Sequence, residues 1–342
     1  MKKMIILFWI VILTHLVFAQ DYQNIPDIVD KVGTAAGNWL KMETNIRAIG
    51  MGGAFVAAAD GVGSIPFNPA GIAYMTGTQT YYQKTNYIAD IGHNVIAYGT
   101  RLSSTDYFGF HLFYLDSGPI EKTTEYMPDG TGEDYNFGGL AFSGTYARVL
   151  TDRLKVGLTI KYIREHVDNM YYQTFAFDLG SSFRTGIYGF TLGMCVSNFG
   201  PEVRYNGDGL NVPVDEDISV DEQLAKVTKE WPLPLLMRLG IKNDVYGGSS
   251  EYYPNEKHRV TLTMDGINPI DFSVYGGLGC EYAWREIVFA RSGLHLAHDT
   301  AGLSLGGGLQ YRTRGFHLAV DYAWVDYGIL EQSHQFGLTL GF

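Results

Sequence analysis

The chain has 342 residues, a net charge of −11 and only 18% charged residues, whereas a soluble globular protein usually carries about 25%. Its 24 tyrosines, 42 glycines and 14% aromatic content favour a transmembrane β-barrel, which has an apolar outer face and aromatic rims. The negative charge argues against nucleic-acid binding, which needs basic patches. Two cysteines are too few for a disulfide scaffold.

The first predicted element is a secretory signal over residues 1–19. Lys2 and Lys3 form a basic start, Met4–Phe18 is nearly all apolar, and the small residues around Ala19 are typical of a cleavage site. The alternative is an uncleaved signal anchor, but the apolar run is short for a spanning helix of about 20 residues. Cleavage would remove both lysines and leave a net charge of −13. No cysteine follows the site, so the sequence does not predict a lipoprotein, and no later stretch is long and apolar enough for a spanning helix.

A glycine-rich segment, Arg47–Gly71, follows a weak amphipathic run at residues 25–32 that predicts a short helix. The segment has too many glycines for a stable helix, because each interior glycine costs about 1 kcal/mol relative to alanine. Asn68-Pro69-Ala70-Gly71 is a turn sequence, since proline fixes its own φ and glycine permits a positive φ. We therefore predict a tightly packed, mostly non-regular segment that lies against other backbone. The residues singled out in it are Arg47, Gly50, Gly52, Gly53, Asp60, Asn68, Pro69 and Gly71.

Three stretches of this region, at residues 31–36, 47–57 and 67–73, resemble the N-terminal signature of the PorV/PorQ family. That family is related to the FadL outer-membrane transporters. Many relatives have a paired Asp-Asp where this chain has Asp60-Gly61, and Tyr-Trp where it has Pro66-Phe67. The resemblance implies an outer-membrane barrel with an N-terminal plug, and it covers only residues 31–74 in its specific motifs.

From about residue 78 the apolar residues recur with period two, which indicates strands that have one apolar face. Leu154, Val156, Leu158 and Ile160 alternate with small or polar residues, for example. About fourteen such runs occur, each roughly ten residues long, the length needed to cross a bilayer at a tilt. Their centres lie near residues 82, 97, 111, 143, 160, 176, 192, 238, 261, 278, 292, 307, 320 and 337.

The gaps between the runs distinguish a membrane barrel from a soluble β-sandwich. Outer-membrane barrels have an even strand number, short periplasmic turns and longer outer loops. The two longest gaps, Gly118–Asn136 and Gly200–Pro232, follow the third and seventh runs, whereas most gaps after even-numbered runs are tight. The exception is Asn243–Glu256, after the eighth run. We therefore predict an all-β transmembrane barrel of about 14 antiparallel strands in the bacterial outer membrane.

The predicted organisation is a signal peptide at 1–19, a plug at 20–77 and a barrel at 78–342. Fourteen strands enclose a lumen too wide for strand side chains alone to fill, and in FadL-like proteins an N-terminal segment fills it. Burying an unpaired charge is costly, so Arg47 or Asp60 is expected to pair with luminal charges. The alternative is that Arg47 lies in water at the periplasmic mouth. The luminal charges singled out are Lys155, Lys161, Glu281 and Asp321.

The chain ends in Phe336-Gly-Leu-Thr-Leu-Gly-Phe342, whose apolar residues share one strand face. A last strand that ends in an aromatic residue resembles the signal read by the bacterial barrel assembly machinery. The alternative is an ordinary edge strand. Strand parity also turns Cys195 towards the lumen and Cys280 towards lipid, which predicts that both thiols remain unpaired.

No catalytic or cofactor site is predicted. Gly50-Met-Gly52-Gly53 lacks the third glycine and the following helix of a dinucleotide-binding loop. His295 and His298 are three apart, so on a strand they face opposite sides, and the sequence favours solvent-exposed histidines over a metal site. The acidic loops at residues 129–134 and 215–217 are interpreted as solvated outer loops, with a calcium site as the alternative. No nucleophile–base set is found, so the protein is not predicted to be an enzyme.

Two functions remain. The PorV/PorQ resemblance implies a binding platform or shuttle for cargo of a type IX-like secretion system, in contact with secretion components and secreted proteins. The alternative is a FadL-like channel that passes a hydrophobic small molecule through a plugged lumen. Other expected partners are outer-membrane lipid and the assembly machinery, and no nucleic acid is expected.

Overall fold

Fourteen antiparallel strands close into one barrel, in which each strand pairs with its neighbours in the chain and the first pairs with the last. This confirms the predicted fold class and strand number. The strands, numbered in chain order, are β1 Gln79–Asn86, β2 Gly92–Arg101, β3 Asp106–Asp116, β4 Phe137–Val149, β5 Leu154–Val167, β6 Met170–Arg184, β7 Thr191–Phe199, β8 Leu236–Tyr246, β9 His258–Pro269, β10 Tyr275–Trp284, β11 Val288–Leu296, β12 Leu303–Thr313, β13 Phe316–Asp326 and β14 Gln332–Gly341.

The structure, a computed structural model, describes residues 31–88, 91–212, 224–225 and 227–342. The predicted signal peptide and almost all of the predicted helix at residues 25–32 lie outside these ranges. Val32–Phe342 forms one compact unit. None of the described helices has the length and apolar character needed to cross a bilayer.

The alternating strand sequence puts the apolar side chains on the outside of the barrel. On β5, Leu158 and Ile160 are 45% and 49% exposed, whereas the intervening Thr159 is fully buried. The same pattern runs around the wall, where exposed apolar residues alternate with buried glycines, small residues and charged residues. A soluble sandwich would bury its apolar face instead, so this arrangement is that of a barrel surrounded by lipid.

The connections differ between the two ends of the barrel. Those that follow even-numbered strands are mostly tight, as at residues 102–105 and 285–287, and we name this the periplasmic end. The connection after β8, which the sequence predicted to be the long exception at this end, is shorter than expected, because β8 extends to Tyr246 and β9 begins at His258. The loops after β3 and β7 are the long ones and define the outer end.

Both long outer loops contain a short antiparallel ribbon. Ile120–Glu121 pairs with Asp134–Tyr135 after β3, and Asn211–Val212 pairs with Leu224–Ala225 after β7. We call residues 200–235 the lid loop, because its described ends fold back over the barrel mouth. Single bridges join Val203 to Trp231 within the lid loop and Tyr171 of β6 to Asn206.

Residues 32–78, which we call the described plug, run through the lumen from the outer end to the periplasmic end. They contain the α-helix α1, Ile46–Gly50, and 3-10 helices at Asn38–Lys41, Val62–Ser64 and Pro69–Tyr74; further 3-10 helices are Asp208–Leu210 in the lid loop and Gly328–Leu330. Asn45 caps α1 by accepting a hydrogen bond from Ala48 N at 3.1 Å. The largest buried apolar residues lie between plug and wall, so the core of this barrel is its filled lumen.

Candidate functional site in the plugged lumen

The plug backbone lies directly against glycines of the barrel wall. A Cβ placed on Gly293 of β11 would lie 2.0 Å from the amide nitrogen of Gly52, and one on Gly157 of β5 would lie 2.4 Å from the carbonyl carbon of Pro69. Gly52 itself has a φ of +62°, which disfavours any other residue. Glycine is therefore required on both sides of this contact. The sequence analysis named the plug glycines and missed those of the wall, although they fall on the luminal parity of their strands.

The predicted turn at residues 68–71 is buried and attaches the plug to the barrel wall. Asn68 is fully buried, and its Nδ2 donates to Val56 O and to Ser181 O of β6, both at 2.9 Å. Its Oδ1 accepts from Ala70 N at 3.1 Å and so caps the helix that begins at Pro69. One side chain thus ties two parts of the plug to the wall. Gly71 packs inside the plug, where a Cβ would lie 2.1 Å from Ser64 Oγ.

Arg47 lies at the centre of a charge network between plug and wall. Its Nε and Nη2 donate to Glu281 of β10 at 2.7 and 2.9 Å, and its Nη1 donates to Asp60 at 2.7 Å. Glu281 is fully buried and also pairs with Arg259 at 2.9 Å and Arg291 at 2.7 Å. A bidentate contact of this kind fixes orientation as well as charge. The Arg47 side chain is 17% exposed, so it is largely buried but still reaches solvent.

Asp265 of β9 provides a second attachment for the plug. Its Oδ2 accepts from the backbone amides of Phe55 and Val56 at 2.7 and 2.8 Å. Among the described residues, no ion pair involves this buried carboxyl group. The sequence analysis did not single out Asp265. The only feature of the sequence that could have identified it is its position as an acid on the luminal side of the alternating pattern.

Arg47 and Glu43 are ionisable groups of the plug whose pKa values are displaced. Burial opposes the charged form of Arg47, but Asp60 and Glu281 outweigh it and raise the pKa of the guanidinium well above its usual value. Burial likewise raises the pKa of Glu43, but His295 and Arg238 lower it more, so that the pKa lies below its usual value. Both groups therefore remain charged partners of the wall near neutral pH.

The other predicted luminal charges, Lys155, Lys161 and Asp321, face the lumen but form no ion pair with the described plug. Lys155 lies with its Nζ 2.9 Å from the ring centroid of Tyr74, a cation–π contact with the plug. Lys161 pairs with Asp178 at 2.9 Å, and Asp321 pairs with Arg291 at 2.6 Å. Of the four luminal charges, the structure brings only Glu281 into an ion pair with the plug.

The lumen contains a charged cavity at its periplasmic end. It has a volume of about 610 Å³ and is open to that end. Basic and acidic residues line it in nearly equal numbers. The six basic residues are Arg47, Lys242, Lys257, Arg259, Arg291 and Arg312, and the five acidic residues are Asp60, Asp244, Glu256, Glu286 and Asp321. We call it the vestibule. Such a lining favours water and disfavours an apolar molecule.

The outer end of the lumen has the opposite character. Trp39 of the plug lies on Gly139 of β4, where a Cβ would come within 2.5 Å of the indole. Its ring centroid lies 5.2 Å from that of Phe113 of β3, with the two planes tilted by 31°. Around it the wall is apolar and aromatic, with buried Val95, Leu115, Ala141, Ile163 and Tyr172. The lumen of a water-filled porin is polar instead.

Glu165 of β5 is the polar centre of this apolar region. Its Oε2 accepts from Trp39 Nε1 at 2.6 Å and from Tyr172 Oη at 3.2 Å, and its Oε1 accepts from Tyr205 Oη. Plug, wall and lid loop thus meet on one buried carboxyl group. The lid loop also reaches the plug through Pro232, whose carbonyl accepts from Ala36 N at 3.0 Å. The sequence analysis missed Glu165 and Trp39, and parity was the only signal for Glu165.

The expectation for the histidine pair is partly wrong. The His295 side chain is only 4% exposed and its Nε2 lies 3.3 Å from Glu43 Oε1, because His295 takes the luminal parity of β11. The strand ends at Leu296, and the His298 ring then packs 5.8 Å from that of His295. Among the described residues, no group of three potential ligands is arranged to hold a metal ion.

The remaining predicted residues lie away from the plug contacts. Cys195 is buried and Cys280 is partly exposed, and both are unpaired, in agreement with the predicted parity. Phe342 is 67% exposed beside Phe316 at the periplasmic end. The acidic loop at residues 129–134 is largely exposed, whereas residues 215–217 lie outside the described ranges.

Comparison with known proteins agrees with this architecture. Neither a protein-family model nor a curated protein sequence matches the chain. Three solved structures share the fold at 11% identity: the toluene transporter TodX of Pseudomonas putida, the toluene transporter TbuX of Ralstonia pickettii, and a FadL homologue of Pseudomonas aeruginosa. Their TM-scores are 0.55, 0.52 and 0.52; the alignments cover 86%, 86% and 87% of this chain and 96%, 96% and 98% of theirs.

The fold and the filled lumen therefore define a class, that of plugged β-barrels of the bacterial outer membrane. Within that class the chain has the fold of FadL-like channels.

Proposed function

We propose that the protein is a non-catalytic outer-membrane channel for small hydrophobic molecules. The observation that carries this proposal is the aromatic, apolar outer half of the lumen, built around Trp39 and Phe113. Such a surface does not stabilise a polar solute, whereas an apolar solute gains about 25 cal/mol of binding free energy per Å² of apolar surface buried there. The fold shared with two toluene transporters supports the same choice.

In this proposal the lid loop and the plug close the channel at rest. The described ends of the lid loop lie over the outer mouth through contacts of Tyr205 and Pro232, and Trp39 occupies the space beneath these ends. A ligand entering from outside would have to displace the described ends of the lid loop and then Trp39. The plug remains attached at the periplasmic end through Arg47 and Glu281.

The test is uptake of labelled toluene by cells that lack other hydrocarbon channels. The wild-type protein is expected to raise the initial rate above the empty vector. Trp39→Ala is expected to raise it further, because it removes the ring that fills the outer lumen. Trp324→Ala is the matched control, since Trp324 lies on the outward parity of β13 and bonds Gln332 instead of luminal residues. A wild-type rate equal to that of the vector would refute the proposal.

The second candidate is the secretion platform implied by the PorV/PorQ-like signature. A specific feature favours it: Tyr126, in the outer loop after β3, is 91% exposed, and the neighbouring Met127 is 49% exposed. Exposed aromatic residues on an outer loop are typical of protein contact sites. The lid loop adds apolar residues among acids in its sequence, from Asp208 to Glu222.

Two deletions separate the candidates. One removes Asp208–Glu222 of the lid loop and the other removes Gly50–Ala59 of the plug, each in a strain where surface-level barrel is verified. Cargo secretion and toluene uptake are measured in both. If the protein is a secretion platform, the lid deletion must block cargo release. Normal cargo release in the lid deletion, together with altered toluene uptake in the plug deletion, would exclude the platform and support the channel.

A further inference from the structure

Within the described ranges, Glu165 and Asp265 are the two luminal acids named above that have no ion pair, and they differ in their donors: Asp265 accepts from the backbone amides of the plug, whereas Glu165 accepts from side chains. Glu281, Asp178 and Asp321 each pair with an arginine or lysine at 2.6–2.9 Å. No ion pair within the described part of the chain includes Glu165, although it is only 3% exposed. Its partners are an indole and two phenols, which are neutral donors. An indole N–H can only donate, so Oε2 acts as an acceptor, as a carboxylate oxygen does.

Aromatic rings surround this carboxylate. Tyr172 and Tyr205 meet edge to face, with centroids 5.2 Å apart and planes at 88°, and Trp39 continues the ring set towards Phe113. A carboxylate with aromatic rings beside it is the chemistry that recognises organic cations, because the acid supplies the countercharge and the ring faces supply cation–π attraction. A ligand carboxylate would instead meet a like charge in a desolvated site.

We infer that the outer lumen selects small apolar molecules that carry an amine or ammonium group, with Glu165 as the acceptor and Trp39, Tyr172 and Tyr205 as the aromatic neighbours. This inference rests on the proposed channel function and names its substrate class. The ammonium of the ligand takes the place of the Trp39 N–H or the Tyr205 O–H on the carboxylate. The Trp39 donor belongs to the plug and the Tyr205 donor to the lid loop, so the exchange releases one of these two elements from its contact with Glu165. Recognition and opening are thereby one event.

The test compares three probes that share one aromatic ring: benzylamine, benzyl alcohol and benzoate. Binding to the purified barrel in nonionic detergent is measured by titration calorimetry at neutral pH, where benzylamine is a cation and benzoate an anion. Benzylamine is expected to bind about tenfold more tightly than benzyl alcohol, and benzoate more weakly than either. Glu165→Gln is expected to abolish the preference for benzylamine. Glu125→Gln, which removes the same charge from the exposed outer loop, is the matched control and is expected to retain it.

Equal binding of benzylamine and benzyl alcohol by the wild-type protein would overturn the inference and leave the channel proposal intact. Failure of all three probes to bind, together with failure of toluene uptake, would remove the channel proposal itself. If Glu165→Gln does not assemble, Tyr205→Phe decides, because it removes one competing donor and leaves the charge. That variant is expected to bind benzylamine at least as tightly as wild type, and a loss of the benzylamine preference in it would also overturn the inference.

Discussion

Replacing Glu281 by glutamine is expected to weaken the plug–wall contact by about 3 kcal/mol. The buried Glu281 carboxylate is shared by Arg47, Arg259 and Arg291, with four contacts of 2.7–2.9 Å. Breaking a buried ion pair by removal of one partner costs about 3–5 kcal/mol, since the other charge is left uncompensated. The lower end of that range applies, because Arg47 keeps Asp60, and the vestibule admits water.

Asp60→Asn is the matched comparison on the same arginine. The Asp60 side chain is 53% exposed, and an exposed pair contributes about 0–1 kcal/mol. The two variants therefore remove one carboxylate each from Arg47 but differ in burial. A smaller loss is expected for Asp60→Asn even though both contacts are 2.7 Å long.

Urea unfolding of the refolded barrel in lipid vesicles measures the loss of free energy, and protease sensitivity of the plug reports whether the plug detaches first. Glu281→Gln should lower the unfolding midpoint or expose the plug at urea concentrations where the barrel persists. The reasoning is refuted if Glu281→Gln costs less than about 1 kcal/mol, or if Asp60→Asn costs as much.

Three further outcomes are expected. Gly293→Ala should prevent normal packing of the plug, because its Cβ would lie 2.0 Å from the plug backbone. Gly307→Ala is the control: the nearest atom to its Cβ is 3.7 Å away, so this variant should give a heat-resistant barrel in gel-mobility assays, and equal behaviour of the two variants would contradict the packing argument. Thiol titration of denatured, unreduced protein should count two free thiols, Cys195 and Cys280, and a count of zero would show a disulfide. Phe342→Ala should lower the amount of protein in the outer membrane sharply and leave the heat resistance of refolded barrel almost unchanged, because the ring is already 67% exposed; equal losses in both assays would make it an ordinary packing residue.

The sequence by itself determined the barrel. Strict alternation on strands such as β5 has one consequence in lipid: apolar side chains face outward and the others face inward. Counting the alternating runs gave the strand number, and the loop lengths identified the two ends of the barrel. The same parity placed Lys155, Lys161, Glu281 and Asp321 in the lumen, and it assigned the two cysteines to opposite faces of the wall.

The tertiary structure alone decided which luminal groups meet. Arg47 reaches Glu281 across 234 positions of the chain, and Trp39 reaches Glu165 across 126. Parity gives the side of the wall on which a residue lies but contains no information about the height of the plug, since the plug has no period of its own. His295 shows the same limit: luminal parity turns its side chain inwards, but its partner Glu43 is brought beside it by an irregular segment. Where a regular strand repeats, the sequence pattern is sufficient; where an irregular segment packs against it, only the closed barrel sets the contacts.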